Sequence, residues 1–192
     1  MIYLASLSPR RCELLNQIKV NYQQIAVNIA ETSLPQETPQ DYVSRLALAK
    51  ARAGCERIST TQPVLGADTV VVCDGQLFGK PVDADDAKHK LWQLSGRDHQ
   101  VMTAVALVKG TIERVRLNIS KVYFKKLSKS DIQAYVATGE PLDKAGSYAI
   151  QGLASIFIER IEGSYSGVMG LPLYETASLL TETGVKILPA ND

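Results

Sequence analysis

Apolar positions recur along this chain in two rhythms, and each rhythm ends at a recognisable stop signal. Residues 2–5, Ile-Tyr-Leu-Ala, form a short apolar run that reads as a buried strand. Ser8 then offers an N-cap and Pro9 the first helical position, so a helix is predicted through Cys12, Glu13, Leu14 and Leu15. Residues 21–27 read as a second strand, and the polar, proline-containing stretch 33–40 as a loop. Thr38, Pro39 and Asp41 come close to a capping box for a long helix. Tyr42, Leu46, Ala49 and Ala53 are expected on its apolar stripe.

Residues 64–72, Val-Leu-Gly-Ala-Asp-Thr-Val-Val-Val, read as a buried strand interrupted by two polar positions, with an Asp-Gly turn signal at 74–75. Asp83 starts a helix carrying Leu91, Trp92 and Leu94, which Gly96 should end. Residues 99–108 and 113–124 read as two long strands with Lys109-Gly110 between them. Ser128 with Asp131 opens a helix to Gly139, 155–161 is a strand, and 171–182 the closing helix. The result is a mixed α/β chain with long antiparallel strands. It is not a doubly wound parallel fold, because strand–helix alternation stops after residue 96.

The 192 residues, 45% hydrophobic, suffice for a substantial core in one domain. Lys and Arg number 21 and Asp and Glu 20, giving a formal net charge of +1. That balance excludes a general nucleic-acid binder, so any anion site must be a local cluster. Cys12, Cys55 and Cys73 are odd in number and widely spaced. They suggest neither a disulfide framework nor zinc, but buried reduced thiols. His89 and His99 are the only histidines, too few for a His-rich metal site. The N-terminal apolar stretch has no basic region ahead of it and is broken by Ser6 and Pro9, unlike a signal peptide. No apolar run approaches the ~20 residues of a membrane span. No membrane partner and a cytoplasmic location are expected.

Several charged residues stand where neither a core nor a turn would choose them. Arg10 and Arg11 begin a helix, where partial positive charge ordinarily prefers acids. Cations there imply that an anion joins them, alongside backbone N–H groups that point at it. Asp68 lies inside an apolar strand, a costly place for a carboxylate unless it is paired, metal-bound or acting as a base. Glu31, expected at the end of a strand, would complete with Asp68 a hard oxygen pair of the kind Mg²⁺ uses together with substrate phosphates. Lys50 in the long helix and Lys80 past the hairpin would singly be surface lysines. With the carboxylates they make up the parts of phosphoryl chemistry. Neither a P-loop nor a Rossmann glycine pattern is present. The glycine-containing stretches 139–152 and 163–172 read as ligand-lining loops.

Taken in order, eight segments resemble the Maf family of nucleoside triphosphate pyrophosphatases. They are "SLSPRR" at 6–11, Glu31, "LALAKARA" at 46–53, "GADT" at 66–69, "GKP" at 79–81, "LSGRDHQVMT" at 94–103, "GEPLDKAGSYAIQG" at 139–152 and "GSYSGVMGLP" at 163–172. Leu7 stands where the family often has a small residue, within an otherwise intact Ser-x-Ser-Pro-Arg-Arg pattern.

The resemblance implies one domain over 1–192, with a fold like that of inosine triphosphate pyrophosphatases: a central mixed, bent sheet, flanking helices and a cleft between two lobes. It implies hydrolysis of a nucleoside triphosphate to the monophosphate and pyrophosphate. It also implies Mg²⁺ dependence, with Mn²⁺ or Co²⁺ able to substitute. Asp68 would be the proton acceptor, with Lys50 and Lys80 catalytic. Ser8, Arg10, Arg11, Lys50 and Lys80 would bind phosphates, and Glu31 and Asp68 the metal. Arg10, Thr69 and Gln151 would govern substrate choice, and "SPRR", "ADT" and "IQG" resemble the branch acting on dTTP and UTP. A homodimer is implied as well. The alternative is a non-catalytic nucleotide-binding regulator of cell division and septum formation.

Overall fold

The computed structural model describes residues 1–187. In chain order the elements are β1 (Ile2–Leu4), α1 (Pro9–Gln17), β2 (Tyr22–Gln24), α2 (Pro39–Ile58), β3 (Val64–Cys73) and β4 (Gln76–Phe78). They continue with α3 (Ala84–Leu94), β5 (Asp98–Lys109), β6 (Ile112–Phe124), α4 (Lys129–Ala137), β7 (Ile158–Glu162), α5 (Tyr165–Met169) and α6 (Leu173–Glu182). The strands form one mixed sheet in the order β2-β1-β3-β5-β6-β7, with β4 paired to β3. β1 runs parallel to β2 and β3, whereas β3–β4 and β6–β7 are antiparallel. The mixed α/β expectation, a central sheet with flanking helices, is therefore what the chain adopts.

Most boundaries follow local chemistry. Thr38 accepts the Asp41 N–H at 3.2 Å, but the Asp41 carboxylate takes the Thr38 hydroxyl, so only half a capping box forms. Ser128 and Asp131 close a complete one. Asp83 accepts the Asp86 N–H at 2.8 Å. Asp74 and Gly75 both adopt positive φ, 50° and 75°, the signature of the tight turn between β3 and β4.

Other expectations need correction. β2 covers three residues rather than seven, so Glu31 lies in a loop seven positions beyond it. The strand expected over 155–161 begins at Ile158, after a 3₁₀ turn over Leu153–Phe157. Stretch 163–172 contains the short helix α5. Trp92 is exposed while Ala87, Leu91 and Leu94 are buried. Two of the three free thiols, Cys12 and Cys55, are only half-buried.

The buried stripe of α2 is Val43, Leu46, Ala47, Ala51 and Gly54, one step round the helix from the expected one. The cause is close backbone approach. A Cβ on Gly66 of β3 would stand 2.4 Å from the Ala47 carbonyl oxygen and 2.6 Å from the Ala51 nitrogen. Only small residues can face the strand there.

The chain divides into two compact units. The first comprises Met1–Asp68, Thr103–Asn118 and the residues from Gly170 onward; the second comprises Thr69–Met102 and Ile119–Met169. In the first, Leu4, Leu15, Leu46, Leu65 and Leu107 are fully buried. In the second, α3 and α4 share a core with Phe78, Val122, Phe124 and Phe157.

Candidate active site

Gly66 positions the first unit's polar cluster. Side chains alternate along a strand, so Asp68, two residues on, shares the face that Gly66 turns to α2. Lys50 lies on α2 between Ala47 and Ala51, the two residues that touch Gly66. The Lys50 ammonium accordingly meets Asp68 Oδ1 at 2.5 Å. The same nitrogen lies 2.7 Å from Glu31 Oε1, so one cation bridges two carboxylates.

Glu31 is far from its expected strand end but is held by α2. Tyr42 O–H donates to the Glu31 carbonyl at 2.9 Å. Arg45 donates to the Thr32 carbonyl at 3.1 Å and pairs with both Glu37 oxygens at 2.5 and 2.7 Å. Tyr42, expected on the apolar stripe of α2, pins this loop instead. Its spacing of eight from Lys50, which puts both on one side of α2, was the available signal.

Arg11 enters from α1, whose start follows the carboxyl end of β1. Its Nε donates to the Gly170 carbonyl at 2.8 Å and an Nη to Ser6 Oγ at 3.1 Å. Arg11 is therefore a strut within the fold as well as a cation beside Asp68 and Glu31, whose charges it feels. Arg10 follows Pro9 and is half-buried, close enough to disfavour the charge on Arg11. Ser8 occupies the N-cap position, yet its side chain makes no cap bond, and its N–H donates to Ser6 Oγ at 3.2 Å. The α1 start thus keeps cations without acids in its first turn.

The electrostatics of Asp68 set burial against its neighbours. It is 7% exposed. Desolvation pushes its carboxyl above the ordinary aspartate value, Lys50 and Arg11 pull it down, and Glu31 adds to the rise. Burial prevails, leaving a carboxylate of enhanced basicity. Burial likewise lowers the Arg11 guanidinium. Among the described residues no group of three or more His, Cys, Asp or Glu side chains could hold a metal. Glu31 and Asp68, which already share the Lys50 cation, are the carboxylates that could hold an ion of the Mg²⁺ type.

The remaining candidates belong to the second unit. Thr69 follows Asp68 on β3 and is half-buried. Lys80 is exposed just beyond the hairpin, its carbonyl accepting from Lys90 Nζ at 3.1 Å. The stretch 139–152, expected to be a ligand-lining loop, sends residues 146–150 into the core. Tyr148, Ala149 and Ile150 are buried, whereas Gly139, Leu142, Asp143 and Gln151 are exposed. Its turn docks on the hairpin: Gly146 N–H donates to the Gly79 carbonyl at 3.3 Å, and a Cβ on Gly146 would stand 2.7 Å from Val71.

The family model described as Maf-like protein matches residues 1–183. A dTTP/UTP pyrophosphatase of Aromatoleum aromaticum is 54% identical over 196 aligned positions, covering 95% of each chain. The protein of that name from Chromobacterium violaceum is 50% identical, covering 97% of this chain and 96% of its own. Among solved structures, the Staphylococcus aureus Ham1 protein is similar with a TM-score of 0.46 and 14% identity, over 64% of this chain and 71% of its own. Among the described residues, no helix is long and apolar enough to cross a membrane.

Proposed function

The chain belongs to the Maf-like protein family, and on that premise we propose that it hydrolyses dTTP and UTP to the nucleoside monophosphate and pyrophosphate. The observation that carries this reading is the buried Asp68 carboxylate, kept basic by burial while Lys50 bridges it to Glu31. The names of relatives about half identical in sequence support the substrate assignment.

In this reading a water oxygen attacks the α-phosphorus, Asp68 accepts the proton that the water loses, and the α–β bridging oxygen leaves with pyrophosphate. Ser8, Arg10, Arg11, Lys50 and Lys80 bind and neutralise the phosphates. Lys50 also keeps Asp68 ionised until water needs it. Glu31 and Asp68 would hold a divalent ion, Mg²⁺ or in its place Mn²⁺ or Co²⁺, which supplies further charge neutralisation at the phosphate oxygens. Thr69 and Gln151, with Arg10, select the base, because neutral side-chain donors and acceptors suit the carbonyl and N–H edge of uracil and thymine. The whole of 1–192 is taken as one such domain, cytoplasmic and homodimeric, with no nucleic-acid partner.

A pyrophosphate-release assay across a nucleotide panel, with Mg²⁺ and with chelator, tests the proposal. Monophosphate and pyrophosphate are expected as first products from dTTP and UTP, and only with metal. Diphosphate and orthophosphate as first products would overturn it. Exchanging Thr69→Gln together with Gln151→Glu should weaken pyrimidine turnover.

A further inference from the structure

Gln151 is exposed at the tip of a turn, yet the backbone on both sides of it converges on two side chains. Ahead of it, the Ala149 N–H donates to the Tyr135 hydroxyl at 3.3 Å. Behind it, the Leu153 and Ala154 N–H groups donate to Glu140 Oε2 and Oε1 at 3.1 and 3.4 Å. The two anchors are themselves joined, Tyr135 O–H donating to Glu140 Oε1 at 2.7 Å. The turn is closed by the Gly152 N–H on the Ala149 carbonyl at 3.0 Å.

Gly152 completes the fit. A Cβ there would lie 2.4 Å from Glu140 Oε2, so the carboxylate occupies the space a side chain would need. Burial and Glu140 both push the Tyr135 hydroxyl above its ordinary value, which keeps it protonated and able to donate to Glu140 while accepting from Ala149. Tyr135 is anchored in turn by α4, on whose buried face it stands, and by its edge-on contact with the Phe157 ring at 5.3 Å.

We infer that Tyr135 and Glu140 are positioning residues for Gln151: they form a bracket that sets its backbone and thereby the enzyme's choice of base. The inference rests on the reading of Gln151 as a base-selecting residue. A side chain that distinguishes two pyrimidines by hydrogen bonding must hold its donor and acceptor within narrow limits of distance and angle. An exposed Gln on an unsupported turn would instead adapt its amide to either base. The carboxylate suits the role because it accepts from three donors at once, two of them backbone. A neutral amide in its place would present a donor to one of those N–H groups.

The test compares wild type with Glu140→Gln and Tyr135→Phe, both of nearly unchanged volume. For Glu140→Gln, the preference for UTP over CTP in kcat/KM should fall about tenfold, the worth of about one hydrogen bond. The loss should appear in KM for UTP. The inhibition constant of inorganic triphosphate, which has no base, should not move. Amide exchange at Leu153 and Ala154 in the nucleotide-free protein should quicken. Tyr135→Phe should shift the preference in the same direction by less, and it decides the matter if Glu140→Gln does not fold. Retained preference in the folded variants overturns the positioning role alone. So does a rise of the triphosphate constant in step with KM. A wild-type protein indifferent to uracil and cytosine overturns the base-reading assignment and this inference with it.

Discussion

The two units differ in whether a charge is buried among their enclosed polar groups. In the first, a charge is enclosed beside the neutral Thr103, Thr176 and Thr183: Asp68 is 7% exposed, with Lys50 against it and Arg11 nearby. In the second, the enclosed groups are neutral. His99 Nε2 and the Tyr148 hydroxyl lie 2.7 Å apart, and both rings pack edge-on around Phe124. Burial drives His99 down to about 4 and Tyr148 upward, so both stay uncharged at neutral pH. Such neutral groups cost less to bury than a charge, even though His99 Nδ1 is left without a hydrogen-bond partner. Charges kept buried are costly, and their retention points to chemistry that needs them.

Replacing Asp68 tests that contrast most severely. Asp68→Asn keeps shape and removes charge and basicity, and turnover should fall by a factor of about 10² or more. Stability should move the other way. The folded carboxyl lies above its ordinary value, so ionising it as pH rises through that interval costs stability, and Asn abolishes the cost. Urea unfolding at neutral pH should show a variant at least as stable as wild type. Near-normal hydrolysis of dTTP would remove Asp68 from the mechanism and leave Glu31 as the base.

Gly66→Ala should come next. The new Cβ would meet backbone atoms of Ala47 and Ala51 at 2.4 and 2.6 Å, which cannot rotate away. A loss of about 3 kcal/mol, the upper range for overpacking, is expected, with activity falling as α2 carries Lys50 away from Asp68. Unchanged activity and stability would show that the helix–strand approach does not set the site.

In the second unit, His99 should give a pH effect on stability without one on catalysis. Its folded value lies below its ordinary 6.5, at about 4, so the unfolded chain binds the proton first. The stability it contributes is complete above about 6.5 and is lost as pH falls to about 4, amounting to about 3 kcal/mol at about 1.4 per unit. His99→Gln should flatten thermal unfolding midpoints across that window. A slope as steep as wild type would refute the assignment.

The smallest effect is expected at exposed pairs, one in each unit: Arg52–Glu113 at 2.6 Å and Arg97–Asp74 at 2.6 Å. Solvent screens both, so double-mutant cycles should find no measurable coupling in either. A coupling in one only would mean that the units differ by more than burial.

Much of this was legible along the chain. The helix starts at Pro39, Ala84 and Lys129 follow caps whose side chains bond an N–H three residues on, and Pro9 is preset for the first helical position. The Asp74-Gly75 turn and the anomaly of Asp68 in an apolar strand are equally local. The ordered motifs pointed to the family and its candidate residues. Elements whose limits depend on distant partners were not legible. β2 ends early, 155–157 winds into a 3₁₀ turn, and the buried face of α2 is chosen by Gly66 rather than by its own largest side chains.

Residue order alone specifies which residues carry charge, where helices begin, and that a carboxylate stands in an apolar strand. Long-range packing is what lets Lys50 bridge Glu31 and Asp68, Arg11 brace Gly170, and Glu140 hold the turn around Gln151. The reason is range. Caps, turns and periodicity are settled by neighbours a few bonds away. A contact between Arg11 and Gly170, 159 residues apart, exists only once apolar burial has brought those segments together.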